Sequence, residues 1–413
     1  MRSSTTPAPD SRAVDAIDSA PESWLNRNVL GMGLTSFLSD FGHEMATAIL
    51  PAFLVSIGAG AAALGIIEGI ADAVASFVKL GAGYASDRWV ERKRVATFGY
   101  VLTGVSKATF ALAWSWPPVL AGRVAGWFGR GIRGPVRDAM LADSVAPADR
   151  GRAFGFHRAS DTAGAVAGPL VAALLVGAIS LRSIFVLTLI PGLASAVAFY
   201  WLVRDPPRVT HQRRFFASLR SLPRGFLLFL VPVGLFGIAD FAPTLLILRA
   251  QAALTGSRGL AAAVTAGVAL YVVRNVFYAA ASFPIGALSD QIGRRALLAA
   301  GYGLAALTFA GFAWLPVSLP MYVVLFGLAG ILLAAGDTLG GALAADLLGG
   351  GETGLGFGVL GTVNGIGDLV SSLVVGGLWS VAGIGVGFGY AVVVAGAGAL
   401  LLAVIPAGWF ATR

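Results

Sequence analysis

Acidic and basic side chains interrupt otherwise apolar stretches of this sequence at helical spacing, and those interruptions are where chemistry must reside. Asp40, His43 and Glu44 lie three and four residues apart and share one helix face. Glu68, Asp72 and Lys79 fall within about 40° of one another on a helix turning 100° per residue, so they form one polar stripe. Arg123, Arg130 and Arg137 recur at intervals of seven and drift only about 40° over four turns, with Arg133 one turn before Arg137. The proton affinity of a buried carboxylate depends on whether an arginine stands beside it. An arginine that moves between two states therefore switches a proton on and off, as a proton-coupled device requires. The alternative is plain charge pairing, to which Arg133, Arg137 and Asp138 belong most naturally. Asp40, Glu44, Glu68, Asp72, Arg123 and Asp240 are the expected proton-coupling residues.

Further polar residues are expected to line a central cavity: His43, Lys107, Arg130, Asp161, Arg274 and Asp337. His43 titrates near neutrality and serves either as a proton relay or as a hydrogen-bonding packing residue. Asp240 repeats the Asp-Phe pair of Asp40 and stands alone in its helix, so it is a second coupling carboxylate or the partner of Arg274. His157, beside Arg158, is expected at the interface.

The elements that must hold these residues are long apolar helices. Of 413 residues, 57% are apolar and 12% charged, about half the charge of a soluble globular chain. Mostly apolar segments of ~20 residues separated by short polar breaks indicate membrane helices. They fall at 29–57, 62–85, 95–115, 118–145, 153–179, 183–203, 226–248, 260–286, 296–314, 320–345, 357–380 and 384–409. The expected fold is an all-α membrane protein with twelve transmembrane helices in two pseudo-symmetric six-helix bundles. Residues 1–25 are polar, lack the features of a signal peptide, and are expected to be a disordered cytoplasmic tail. The N-terminal bundle covers 26–203, a central cytoplasmic loop 204–225, and the C-terminal bundle 226–413.

Placing loops alternately on two sides puts Arg88, Arg92, Lys93, Arg94, Arg150, Arg152, Arg204, Arg294 and Arg295 on one side, and only Arg182, Arg249 and Arg258 on the other. The positive-inside rule makes the first side cytoplasmic, with both termini, and the net charge of +8 reflects that orientation rather than nucleic-acid binding. With no cysteine there is no disulfide and no thiolate chemistry. No GxxxxGK[ST] is present, and the Gly356, Gly358, Gly361 pattern opens a membrane span without a preceding strand, so it reads as helix packing. The three histidines have no metal-ligand spacing. No enzyme, metal or cofactor is expected.

The two halves repeat. A shift of 203 carries Gly83, Ser86 and Asp87 onto Gly286, Ser289 and Asp290, Asp143 onto Asp346, and Gly151, Phe154 and Gly155 onto Gly354, Phe357 and Gly358. Parallel six-helix repeats around a central cavity are a transporter architecture. At these residues the chain resembles the major facilitator superfamily. Gly81 to Arg88, followed by Glu91 to Arg94, is similar to the family's loop 2–3 signature, and Gly286 to Arg295 is its second copy, with Val90 where the family prefers glycine. The resemblance implies a gating motif of Gly83, Asp87, Arg88, Asp143, Gly286, Asp290, Arg294 and Asp346. It aligns Arg123 with an arginine the family associates with proton coupling, although Trp127 replaces a glycine of that motif. Gly164, Gly168 and Pro169 are similar to the GxxxGP motif of the family's antiporters, with Ala172 and Ala173 where two glycines usually follow.

The resemblance implies a secondary active transporter of the drug/metabolite:proton antiporter branch. It would export a small organic compound across the cell inner membrane by alternating access, as a monomer, with the lipid bilayer, protons and a small-molecule substrate as its partners. Two alternatives stay open: proton-coupled uptake of a small organic anion, and a transporter-like sensor. Sequence names neither the substrate nor the direction of transport.

Overall fold

The computed structural model describes residues 23–86, 91–146, 149–205, 222–316, 318–348 and 353–405. The first half comprises α1 (Arg27–Ser56), α2 (Ala61–Ser86), α3 (Arg92–Ala108, continued by a tight turn Thr109–Leu112), α4 (Trp116–Asp143), α5 (Arg150–Leu175), α6 (Leu181–Leu187) and α7 (Leu189–Leu202). The second comprises α8 (Arg224–Gly237), α9 (Pro243–Arg258), α10 (Leu260–Ile292), α11 (Arg294–Trp314), α12 (Leu319–Leu348), α13 (Thr353–Ala382) and α14 (Ile384–Val404). Local sequence sets the ends. The Asn26 side chain caps α1 by accepting from the amides of Asn28 and Val29. Gly259, Gly293 and Gly383, at φ +78°, +92° and +88°, are each the single residue between two consecutive helices, a conformation that side chains resist.

Eight helical segments are long and apolar enough to cross a membrane. Among the remainder, α1, α4 and α5 are long but carry the charges noted above, and α8 is apolar but short. The large apolar side chains that point outward, such as Phe283 (84% exposed) and Val381 (89%), form the surface a bilayer would cover.

The span expected at 226–248 is a broken helix. α8 stops at Gly237, and Asp240 lies in the break before Pro243 starts α9, not within a helix as the sequence suggested. The freed backbone groups are satisfied from α13: Ser372 accepts from the Ala242 amide at 3.0 Å, and Ser371 donates to the Asp240 carbonyl at 2.8 Å. The segment 183–203 is likewise two helices, α6 and α7.

Small residues let the helices close. Ala or any larger residue at Gly164 or Gly168 would place Cβ well inside contact distance of the Phe37 and Phe41 carbonyl oxygens, so these two glycines seat α5 on α1. The halves meet chiefly through α2 on α13 and α5 on α10, with α1 also touching α9. At one end a single apolar cluster joins both halves, running from Met45, Phe53 and Leu64 through Leu245 and Leu254 to Phe326 and Phe388. At the other end, which carries Arg92, Asp143, Arg294 and Asp346, each half has its own cluster. One is built around Tyr100 and Met140, the other around Phe226 and Leu298.

Candidate functional site

Beneath the shared apolar cluster, α1, α2 and α4 bring the sequence-predicted charges together. Arg123 donates to Glu68 at 3.0 Å from Nε, and from Nη2 at 3.0 and 2.8 Å to Oε1 and Oε2; its Nη1 reaches Thr47 Oγ1 at 3.1 Å. Neither side chain is more than 4% exposed. One turn on, Trp127 lies between Arg123 and Arg130, each guanidinium 5.2 Å from its ring centroid, and the His43 ring meets it edge-on at 4.8 Å. Arg130 Nη2 donates to Asp40 Oδ2 at 3.2 Å. Arg133 stands 3.9 Å from the other oxygen, donates to Ser39 Oγ at 2.8 Å and stacks on Tyr100 at 4.2 Å. Arg137 bonds Asp138 at 2.8 Å and Ser36 at 3.3 Å. The seven-residue arginine periodicity thus places three guanidiniums on three different partners.

Asp161 of α5 is among the charges facing Asp40 and Arg130, and it pairs with Arg158 at 3.6 Å. Asp72 and Lys79 of α2 look toward the second half, where Asp368 of α13 has Asp72, Asp240, Lys79 and Asp337 as its charged neighbours. These carboxylates make no ion pair among the described residues, whereas Asp337 accepts from the Tyr278 hydroxyl at 3.1 Å.

Contacts between the halves at this level are polar. Tyr271 of α10 donates to Glu44 Oε2 at 2.7 Å, and Asn275 Nδ2 donates to the Ala165 carbonyl at 2.9 Å. Sequence reasoning missed both residues, although Tyr271, Arg274, Asn275 and Tyr278 form an α10 stripe at helical spacing. Asp240 and Arg274 are neighbours but not an ion pair: Arg274 Nη1 turns to Asn275 Oδ1 at 3.3 Å. His157 is not interfacial. It is 4% exposed and meets Ser36 Oγ at 2.5 Å between α5 and α1, because the α5 glycines draw the helices together there.

At the basic end, Asp143 pairs with Arg92 at 2.7 Å and Asp346 with Arg294 at 2.6 Å; the two aspartates are related by the shift of 203, and each arginine is the first residue of its helix. Arg92 also reaches Asp205 at 3.2 Å, a contact across the sequence that no motif indicated. Asp87 and Arg88 lie outside the described residues. Gly83 and Asp290 sit in the last turns of α2 and α10, and the expected tail and central loop fall largely at 1–22 and 206–221, also outside them. A cavity of about 1020 Å³ opens beside Gly293, Leu343 and Ala403, away from the polar cluster and within the second half alone. Among the described residues, no group of His, Asp and Glu is arranged to hold a metal ion.

Comparison with known proteins places this arrangement. Residues 32–274 and 255–413 match the family model described as Major Facilitator Superfamily. A Methanocaldococcus jannaschii protein described as an MFS-type transporter is 32% identical over 312 residues, 75% of this chain and 78% of its own. The quinolone resistance protein NorA of Staphylococcus aureus is 22% identical over 186 residues, 45% of this chain and 47% of its own. In fold, the crystal structure of the nucleoside transporter NupG matches 92% of this chain and all of its own, with a TM-score of 0.76 at 13% identity. A bacterial homologue of the lysosomal transporter Spinster, in an inward-facing conformation, matches 95% of this chain and 97% of its own, with a TM-score of 0.69 at 16% identity. Two helical halves closed by glycine contacts around a charged centre, together with a family match over most of the chain, make this protein a member of the major facilitator superfamily, a membrane transporter rather than an enzyme.

Proposed function

We propose that the protein exports a small organic compound across the cell inner membrane in exchange for protons, by alternating access between two six-helix halves. In this reading the chain crosses the membrane twelve times as a monomer, with both termini and the basic end in the cytoplasm. The observation that carries it is the 2.7 Å bond from Tyr271 to Glu44, because it joins a titratable group of one half to the other half. Rocking the halves apart at this level breaks the bond and changes what Glu44 meets, which ties proton occupancy to conformation. Asp40, held by Arg130, and Asp72, which has no ion-pair partner, are further proton-binding groups. The Gly164 and Gly168 contacts support the antiporter branch, as does the partial likeness to NorA. Asp143 and Asp346, paired with Arg92 and Arg294, serve as the basic-end gate with Gly83, Asp87, Arg88, Gly286 and Asp290.

A second reading has one observation in its favour. Arg130 is 24% exposed, so it is placed to bind the anionic group of an imported compound.

Purified protein in liposomes with an imposed pH gradient tests both. Suitable probes are a quinolone, a nucleoside, 5-aminolevulinic acid and D-xylose, compounds named for its relatives and structural neighbours. Export predicts movement of the responsive probe against the proton flow, with Glu44→Gln retaining downhill exchange but losing gradient-driven transport. Movement with the protons supports uptake, and probe flux indifferent to the pH gradient overturns proton coupling.

A further inference from the structure

Behind Arg130, the interior between α1, α3 and α4 holds more hydrogen-bond donors than the protein can match, and around Lys107 cations outnumber carboxylates. Lys107 of α3 is 3% exposed and makes neither an ion pair nor a hydrogen bond among the described residues. The charged groups that act on it most strongly are Arg133, Arg130, Asp40 and Arg123. Arg123 is engaged by Glu68, and Asp40, the one carboxylate of that set, is already shared by Arg130 and Arg133. The donors left over are also concentrated here. Arg133 Nε and Nη1, Arg130 Nη1, Trp127 Nε1, His43 Nδ1 and the Tyr100 hydroxyl are buried without a partner. Arginine, lysine and indole nitrogens donate only, and the Tyr100 hydroxyl and His43 Nδ1, which can also accept, take a bond from none of them.

Buried charge is retained where something of opposite sign lies against it. An occupant of this space must carry negative charge and accept several hydrogen bonds. It must also be small. Tyr100, Arg133, Lys107 and His43 are 0%, 2%, 3% and 5% exposed, whereas the Arg130 side chain is 24% exposed. With its lining this buried, the occupant is an ion rather than an organic substrate.

We propose that this interior is a binding site for a small monovalent anion of the chloride class, held among Lys107, Arg130 and Arg133. The site is separate from the cavity that receives the transported compound, and it stands whichever way the carrier runs. The bound anion neutralises the cluster and leaves Arg130 free to hold Asp40.

The full chain in detergent tests this by thermal unfolding at fixed pH and ionic strength, with sodium chloride replacing sodium gluconate. Chloride, and equally bromide, should raise the midpoint saturably by roughly 2–4 °C over gluconate. Lys107→Met should abolish the rise, whereas Arg94→Gln, an exposed control, should leave it intact. Superimposable chloride and gluconate curves for the native chain overturn the site, as does an undiminished rise in Lys107→Met. Should that variant fail to fold, bromide-soaked crystals of the native chain decide. An anomalous peak beside Lys107 and Arg133 supports the site, and its absence from that position overturns it.

Discussion

Arg123 and Glu68 form a bidentate pair between α4 and α2, with bonds of 2.8 to 3.0 Å and neither side chain more than 4% exposed. Two turns further along α4, Arg130 holds Asp40 by a single 3.2 Å bond and is 24% exposed. The first pair is enclosed within one half and the second stands at its edge, so the two arginines of one stripe have different freedom to move.

Breaking the enclosed pair from one side strands a buried charge. Glu68→Gln or Arg123→Gln should each cost about 3–5 kcal/mol of stability, while Glu68→Met with Arg123→Met should cost less than either alone. Unfolding midpoints of the three variants in detergent measure this. Single variants that melt like the native chain would show the pair to be irrelevant to stability.

The bond between the halves makes a different prediction. Tyr271→Phe removes only the hydroxyl that Glu44 accepts, a loss of about 0.5–1.5 kcal/mol, and it acts on the equilibrium between conformations. The chain has no cysteine, so labels placed by Ser56→Cys and Ser257→Cys report the distance between α1 and α9 at the closed end without background. The variant should broaden that distribution toward longer separations. Identical distributions would argue that Tyr271 does not restrain the halves.

Helix packing supplies a third. Gly168→Leu cannot be seated against the Phe41 carbonyl, and it should abolish monodisperse protein in size-exclusion chromatography. Gly155→Ala, in the same helix with nothing near its Cβ, should be neutral or stabilising by about 0.5–1 kcal/mol.

At the basic end, Arg92 is buried and joins Asp143 to Asp205, whereas Arg94 is 74% exposed beside Glu91. Arg92→Gln should loosen α3 and the end of α4 by about 1–3 kcal/mol, seen as faster hydrogen exchange over 92–108 and 139–146. Arg94→Gln should leave that exchange within about 0.5 kcal/mol of native.

The first-half site was legible because polar residues in apolar helices must face inward, and helical spacing says which of them share a face. Spacing alone orders residues along one helix and is silent on the neighbour. That is why the α4 stripe was visible as a stripe while its partners on other helices, Glu68 and Asp40, were not assigned. It is also why Tyr271 escaped notice: its significance lies in an acceptor 227 positions away. The break at Asp240 was hidden because the serines that make it affordable belong to α13. His157 was misplaced because sequence position near a helix end suggested exposure, whereas the glycines of the next turns pull that end against α1.

The unequal ends of the molecule have an energetic meaning. Among the described residues no apolar cluster spans the halves at the basic end, whereas passage at the other end requires parting the cluster they share. Wetting that surface costs about 25 cal/mol for each Å² exposed. The polar groups lie immediately beneath it, with Glu44 adjoining Met45, so the work of parting has to come from what binds there. The seal acts as a threshold that the binding energy of an occupant has to meet before that end can part.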